Sequence, residues 1–475
     1  MAEVAFRPAQ PQRWSLYAPL AAVLADPTAR RPLWWWSFLA ILALALAGVM
    51  ALLLALSRVP GIQDVFPWPL AFFEKGLVVH VVFSFVVWFL AVFGAFLHLA
   101  TQRLGDGRPR ADLLGLAALA GAAAAFGLLF VPALSDRGEP TLNNYVPVII
   151  DPLYYAGLVA LAGALALAVL RLVLNLAGRR GPLEPLSLAA LAGGAIYLTA
   201  LACLMVAYGA LGGRGPDFGF NEDLFWGGGH VLQFLNAALL LVGWYILGGL
   251  ALGRPLVRPS LFTVALGLLL AGATVGLALQ FWLAPFSAAQ RDAFTWLQYA
   301  LAPPTLLVAA AGAATVAASR KQAPLPWRHP AFLSLIASVA VFGLGGFLGL
   351  FVDGADTRTP AHYHGVIGGI NLAFMGLFLT LFLPLLGRAV ERGRIVYAQI
   401  GLYAVGQVLA CLGLFWAGGY GAPRKTAGAA QGLADLGAKI GLYLNGIGAL
   451  IAIVGGVLFI VTVAAALLKK PKDAR

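Results

Sequence analysis

The chain has 475 residues, of which 61% are hydrophobic and only 11% charged, and its mean hydropathy is +0.89. Soluble domains carry about 25% charged residues, so a water-soluble globular enzyme is excluded and an integral membrane protein remains. The formal charge of +12 is spread over the connections between apolar runs rather than gathered in one stripe, which argues against nucleic acid as a partner.

Residues 1–32 hold Trp14, Tyr17 and a basic end but no long apolar core. They are expected to form a cytoplasmic, interfacial segment with no cleaved leader. Twelve apolar runs follow, over 33–56, 75–100, 113–134, 148–177, 186–210, 223–250, 260–284, 294–318, 330–352, 360–387, 394–417 and 438–468, and residues 469–475 make a basic tail. Each run has the ~20 residues a helix needs to cross the hydrocarbon. None shows the alternation of a membrane barrel strand. The prediction is an all-α polytopic membrane protein, one membrane domain of twelve transmembrane helices over 33–468.

Basic residues favour one side of this topology. The side of the termini carries Arg30 and Arg31, then Arg103, Arg108 and Arg110, Arg179 and Arg180, Arg254 and Arg258, Arg320, Lys321 and Arg328, Arg388, Arg392 and Arg394, and the tail. Most connections on the other side carry a single cation. Positive charge marks the cytoplasmic face, so both termini are expected inside, in a bacterial-type inner membrane. Cys203 and Cys411 lie within apolar runs and form neither a disulfide framework nor a cysteine-rich metal site. The carboxylates fall in loops or near run ends, which counts against an ion-coupled carrier and against proton pumping.

Histidines are few, and four are placed alike. His80 lies early in the second run, His230 early in the sixth, and His362 and His364 early in the tenth, within "RTPAHYHGVIGGINLAFMG". All three runs cross in the same direction, so the four imidazoles share one layer. His98 and His329 fall outside it and read as structural. Imidazole ligates transition metals and haem iron. Residues at i and i+2 of a helix stand about 200° apart, so His362 and His364 face opposite sides and suit two cofactors better than one metal.

This pattern resembles subunit I of the haem-copper oxidases and nitric oxide reductases, over nearly the whole chain. Besides the histidines, "LFWGGGHVLQF" is similar to the family's sixth-helix start, and "NNYVPVIIDPLYYAGL" to its lead-in to the fourth helix. The loop "GYGAPRKTAG" is similar to the family loop whose basic pair meets haem propionates. The resemblance implies that His80 and His364 are the axial ligands of a low-spin haem. It makes His362 the proximal ligand of a second haem, and Arg424 and Lys425 the propionate partners. His230 matches the first ligand of the family's non-haem metal and would lie distal to the second haem as the tentative catalytic group.

The family's adjacent histidines on the seventh helix are missing, because "LQFWLAPFSAAQRD" stands there, and Phe234 replaces the tyrosine or glutamate four residues past the sixth-helix histidine. One imidazole does not hold copper tightly, since such sites need about three or more ligands. Copper is therefore expected to be absent, with Gln233, Asn236 and Gln280 as the polar residues nearby. Three arrangements stay open: two haems with one open to a gas, two closed electron-transfer haems, or a single haem. The leading function is an oxidoreductase or electron-transfer subunit of a respiratory complex. A cytochrome c or cupredoxin partner would feed it, because the chain has no C-x-x-C-H of its own. The alternatives are a non-catalytic haem protein, as gas sensor or structural subunit, and a haem-free carrier.

Overall fold

The computed structural model describes residues 17–65, 70–135, 137–177, 182–352, 354 and 356–470. Half of the interfacial segment (residues 1–16), the Arg179–Arg180 pair and most of the basic tail lie outside the described residues.

Among the described residues, twelve helices are long and apolar enough to cross a membrane. They are α1 (Pro27–Ser57), α2 (Phe73–Leu104), α3 (Asp112–Leu134), α4 (Pro152–Leu176), α5 (Pro185–Ala210), α6 (Phe218–Leu252), α7 (Pro259–Trp282), α8 (Ala288–Arg320), α9 (Pro330–Phe351), α10 (Arg358–Leu385), α11 (Arg394–Gly419) and α12 (Leu436–Leu468). In hydrocarbon each backbone amide must find its partner within its own segment, and a helix does this. The starts are written locally. Asp26, Asp151, Asp217 and Asp435 each accept a backbone N–H in the first turn. Proline opens α1, α4, α5, α7 and α9, where its missing N–H costs nothing.

Two boundaries differ from the hydropathy pattern. α1 begins at Pro27, six residues before its apolar run, because Asp26 caps Thr28. The start of the fourth run is not helical. Val148–Ile150 forms a strand, β2, paired antiparallel with β1 (Glu139–Thr141). Pro152 and the Asp151 cap then set the true start of α4. Branched apolar residues serve a strand as well as a helix, so hydropathy alone does not separate them.

The bundle has a centre and a periphery. Buried residues make up 78% of the apolar window of α2, 83% of that of α6 and 83% of that of α10, against 22–44% for the other nine. The three central helices are the three that carry the four-histidine layer. Glycine sets how closely some helices approach. A Cβ at Gly406 of α11 would lie 2.2 Å from the Ala452 nitrogen of α12, and one at Gly345 of α9 would lie 2.4 Å from the Val366 nitrogen of α10. π-helical turns interrupt α2 at Val82–Val87, just past His80, and α10 at Phe378–Phe382.

Candidate functional site

Cross-helix contacts fix the levels of the histidines. Trp88 Nε1 donates to Asn371 Oδ1 at 2.9 Å. Those residues lie eight past His80 and seven past His364, so the two imidazoles start from nearly one level on α2 and α10. A Cβ at Gly243 of α6 would lie 3.1 Å from Ala373 Cβ of α10. Those positions are thirteen past His230 and eleven past His362, a difference of ~3 Å at the rise of an α-helix. The common layer holds on all three helices.

The pair on α10 splits as helix geometry requires. His362 packs on α9, where its Nδ1 is 2.8 Å from the Gly345 carbonyl oxygen and where a Cβ at Gly349 would come within 2.5 Å of the same nitrogen. His364 lies within electrostatic reach of His80 and of Arg58, on the side of α1 and α2. The Tyr363 ring stacks on it, with centroids 5.4 Å apart.

Three of the four imidazoles share one mode of attachment. Nδ1 of His80 meets the Ala47 carbonyl at 3.0 Å, and Nδ1 of His230 meets the Trp226 carbonyl at 2.7 Å, as His362 meets Gly345. A carbonyl oxygen only accepts, so Nδ1 carries the proton, and the neutral ring keeps its Nε2 lone pair. That tautomer, held by a second hydrogen bond, is the one metal ligation uses. His98 instead uses Nε2, donating to the Ala29 carbonyl at 2.8 Å. His329 caps α9 through Nδ1, which accepts from Ala331 N–H at 3.2 Å.

His230 sits in an aromatic box. Ring centroids of Tyr145, Trp226 and Phe294 lie 4.5, 4.7 and 5.7 Å from it. Tyr145 comes from the loop between β1 and β2, at a left-handed φ of 64°, and leans on Gly229, where a Cβ would be 2.6 Å from its ring. Burial and the nearby Glu222 push the Tyr145 phenol well above its usual range, so it stays protonated. Phe234 turns away to α7, against Gly272. Gln233 donates to the Gly229 carbonyl, Asn236 to Gln233, and Gln290 to Gln280. These amides are thus engaged in helix packing. No group of three or more His, Cys, Asp or Glu able to hold a metal occurs among the described residues.

A cationic group stands at the same end of the bundle. Arg58, at the end of α1, donates from Nε to the Thr426 carbonyl at 3.0 Å and lies over the Phe73 ring at 5.9 Å. Arg58 and Arg424 both act on Tyr363. Lys425 donates to the Leu142 carbonyl and, at 3.3 Å, to Asn144 Oδ1. Asn144 also donates to Glu222 Oε1 at 2.6 Å from its side chain and to Oε2 at 2.7 Å from its backbone. Among the described residues no carboxylate pairs with Arg58 or Arg424. Burial and the Arg424 charge pull the Lys425 ammonium down to about 8, with Glu222 opposing. Such uncompensated charge favours an anionic occupant with carboxylates of its own. Donor set and charge together fit a haem on the His80–His364 side. Sequence reasoning missed Arg58 and Tyr145. The available signals were an arginine two residues past the first apolar run, and a tyrosine between turn-forming residues.

Fold and site together define a polytopic, all-helical membrane protein with imidazoles arrayed on its three central helices. The chain belongs to the cytochrome c and quinol oxidase polypeptide I family, which matches residues 31–451. It is 30% identical over 362 residues to an uncharacterized protein of Aquifex aeolicus (strain VF5), covering 76% of this chain and 86% of that one. It is 24% identical over an alignment of 489 positions to an uncharacterized protein of Rickettsia prowazekii (strain Madrid E), covering 90% and 94%. Among solved structures it is similar to a cryo-EM structure of a heme-copper terminal oxidase dimer. The TM-score there is 0.80, with 17% identity over 94% of this chain and 85% of that one, a likeness of fold.

Proposed function

We propose that this protein is a haem-binding membrane oxidoreductase or electron-transfer subunit. In this reading His80 and His364 are the axial ligands of a low-spin haem, and His362 is the proximal ligand of a second haem across α10. The observation that carries it is the shared tautomer. His80 and His362 each anchor Nδ1 on a backbone carbonyl and hold Nε2 ready as a ligand. Arg424 and Lys425, joined by Arg58, would meet the carboxylates of the low-spin haem. When bound, the haems supply reversible one-electron couples, and an open axial position would take a diatomic ligand. His230 would lie on the second haem's distal side, where its unprotonated Nε2 would accept a hydrogen bond. No copper is assigned, because the residues around His230 are aromatic rings and amides already engaged.

The more basic face is read as the cytoplasmic side of an inner membrane. Electrons would come from a cytochrome c or cupredoxin at the opposite face, with other respiratory subunits alongside. Absorption spectra of the purified protein, oxidised, reduced and reduced with CO, test this together with metal analysis. Two haems per chain are expected, with stoichiometric copper absent. A colourless protein would overturn the reading, as would an unchanged low-spin band in both His80→Ala and His364→Ala. The closed box of Tyr145, Trp226 and Phe294 around His230 favours a second reading, a haem protein without turnover. Reduced protein that binds CO but consumes neither O₂ nor NO would support it.

A further inference from the structure

Charge is not spread evenly over the basic face. Three of its connections mix signs: Asp106 lies between α2 and α3, Glu184 between α4 and α5, and Glu391 between α10 and α11. The other two do not. Between Asp223 and Asp353 the chain holds one carboxylate, Asp292, and it lies near the start of α8, at the opposite end of the bundle. The α6–α7 and α8–α9 connections and their helix ends carry Arg254, Arg258, Arg320, Lys321 and Arg328 with no acidic residue. Arg254 stitches these two connections together, since its Nη2 donates to the Thr315 carbonyl at 3.0 Å and to Ser319 Oγ at 2.6 Å.

Past Arg320 the backbone doubles back. The Gln322 and Ala323 amides both donate to the Ser319 carbonyl at 3.0 Å, and the Trp327 amide donates to the Leu325 carbonyl at 2.9 Å. The turn walls a cavity of about 590 Å³ lined by Arg320, Lys321, Gln322, Pro324, Leu325 and Trp327. Among the described residues no carboxylate pairs with Arg320 or Lys321. A helix C-terminus favours a cation or two, which accounts for Arg320 and Lys321 but not for a cavity or for three more arginines.

Trp327 marks the depth of this cavity in the bilayer. It is 56% exposed, and its ring meets Phe332 of α9 edge-on with centroids 5.0 Å apart. Exposed tryptophan belongs at the headgroup level of a membrane. α7 packs beside α8, and on its basic half Val264 and Leu268 are exposed. The cations therefore stand where a lipid phosphate meets its acyl chains.

We propose that the α8–α9 cavity binds the headgroup of an anionic phospholipid, with Arg320 and Lys321 on the phosphate and the acyl chains along α7 and α8. The guanidinium offers paired N–H donors to phosphate oxygens, and the ammonium adds a point charge. The bound lipid supplies the negative charge that these two connections lack. A zwitterionic lipid brings its own ammonium and leaves the imbalance in place. An acidic protein segment answers the charge but not the exposed apolar face of α7. The proposal is independent of the haem reading.

The test places the full chain in nanodiscs of phosphatidylcholine, with and without phosphatidylglycerol. Native mass spectrometry reads the lipid retained, and cryo-EM reads its position. Wild type should retain phosphatidylglycerol over phosphatidylcholine, with density in the cavity within hydrogen-bonding distance of Arg320 or Lys321. Arg320→Gln/Lys321→Gln should weaken retention by about twentyfold, roughly fivefold per charge removed near an anionic surface. Arg108→Gln/Arg110→Gln removes two exposed cations from the same face and should leave retention unchanged. Equal losses in the two double variants would overturn the proposal, because surface charge in general would then explain the binding. A map with phosphatidylglycerol supplied but no density in the cavity would overturn it too. Glycerophosphate and polyglutamate serve as competitors at equal charge. Displacement of the lipid by glycerophosphate would assign the cavity to a free phosphate, and displacement by polyglutamate would assign it to an acidic protein. Retention of the lipid against both is the expected result.

Discussion

Nδ1 of His362 on α10 donates to the carbonyl oxygen of Gly345 on α9 at 2.8 Å. The bond is possible because Gly345 and Gly365 let the two backbones touch: a Cβ at Gly365 would lie 2.5 Å from the Gly345 Cα. The sequence therefore sets the tautomer of this imidazole through glycines on two helices.

The floor beneath that imidazole is Gly349. A methyl group there would come within 2.5 Å of His362 Nδ1 and 2.7 Å of its Cε1, so the ring must move and its ~1 kcal/mol hydrogen bond be lost. Gly349→Ala should remove the second haem from the spectrum while leaving the low-spin band at full intensity. CO difference spectra and a haem assay would check this, and loss of both bands together would contradict it.

Lys425 makes stability depend on pH in a way that haem should abolish. Its ammonium is held at about 8 in the fold, below the ~10.4 of a free lysine. Between those values the unfolded chain binds more protons, so haem-free protein should gain stability as pH rises from about 8 to 10. Below about 8 both states are protonated and the slope vanishes. An anionic haem carboxylate would restore the charge and flatten the curve. Melting temperatures of haem-free and haem-loaded protein between pH 7 and 10 would measure it, on the same scale of free-lysine titration. Lys425→Met should raise haem-free stability and weaken haem retention.

Asp223 ties the start of α6 to its surroundings. It accepts from Arg214 at 2.8 Å and from Arg291, and the Arg291 guanidinium lies 5.8 Å from the centre of the Trp226 ring. Trp226 in turn packs on His230. Asp223→Asn should destabilise by about 1–3 kcal/mol, the worth of charge-assisted hydrogen bonds. It should also loosen the aromatic box. A lower melting temperature, with a change in CO rebinding and no change in the low-spin band, is the expected pair of results.

The α11–α12 contact offers a clean steric comparison. Gly406→Val would drive a side chain into the Ala452 backbone, 2.2 Å from the first added carbon, and overpacking of this kind costs about 1–3 kcal/mol or more. Gly401 on the same helix meets nothing within 4 Å. Gly401→Ala should be neutral or stabilising by up to about 1 kcal/mol. Thermal unfolding of the two variants in detergent would separate them, and equal losses would show that helix propensity rather than packing decides.

Much of this protein is written in one dimension. A helix must cross the hydrocarbon with all its backbone bonds internal, so apolar runs alone gave twelve spans, and helical spacing put His362 and His364 on opposite sides of α10. The level of His80 and His230 followed from counting residues from the run ends, because rise per residue is constant. Val148–Ile150 was misread because an apolar branched triplet has no period long enough to tell strand from helix. What chain order alone cannot supply is proximity between distant segments. Tertiary packing decided that α2, α6 and α10 are central, that Ala47, Trp226 and Gly345 fix three imidazoles in one tautomer, and that Tyr145 covers His230. It also brought Arg58, more than 360 residues away in sequence, to Thr426. A hydrogen bond has a direction and a length, and only the folded chain brings its two ends together.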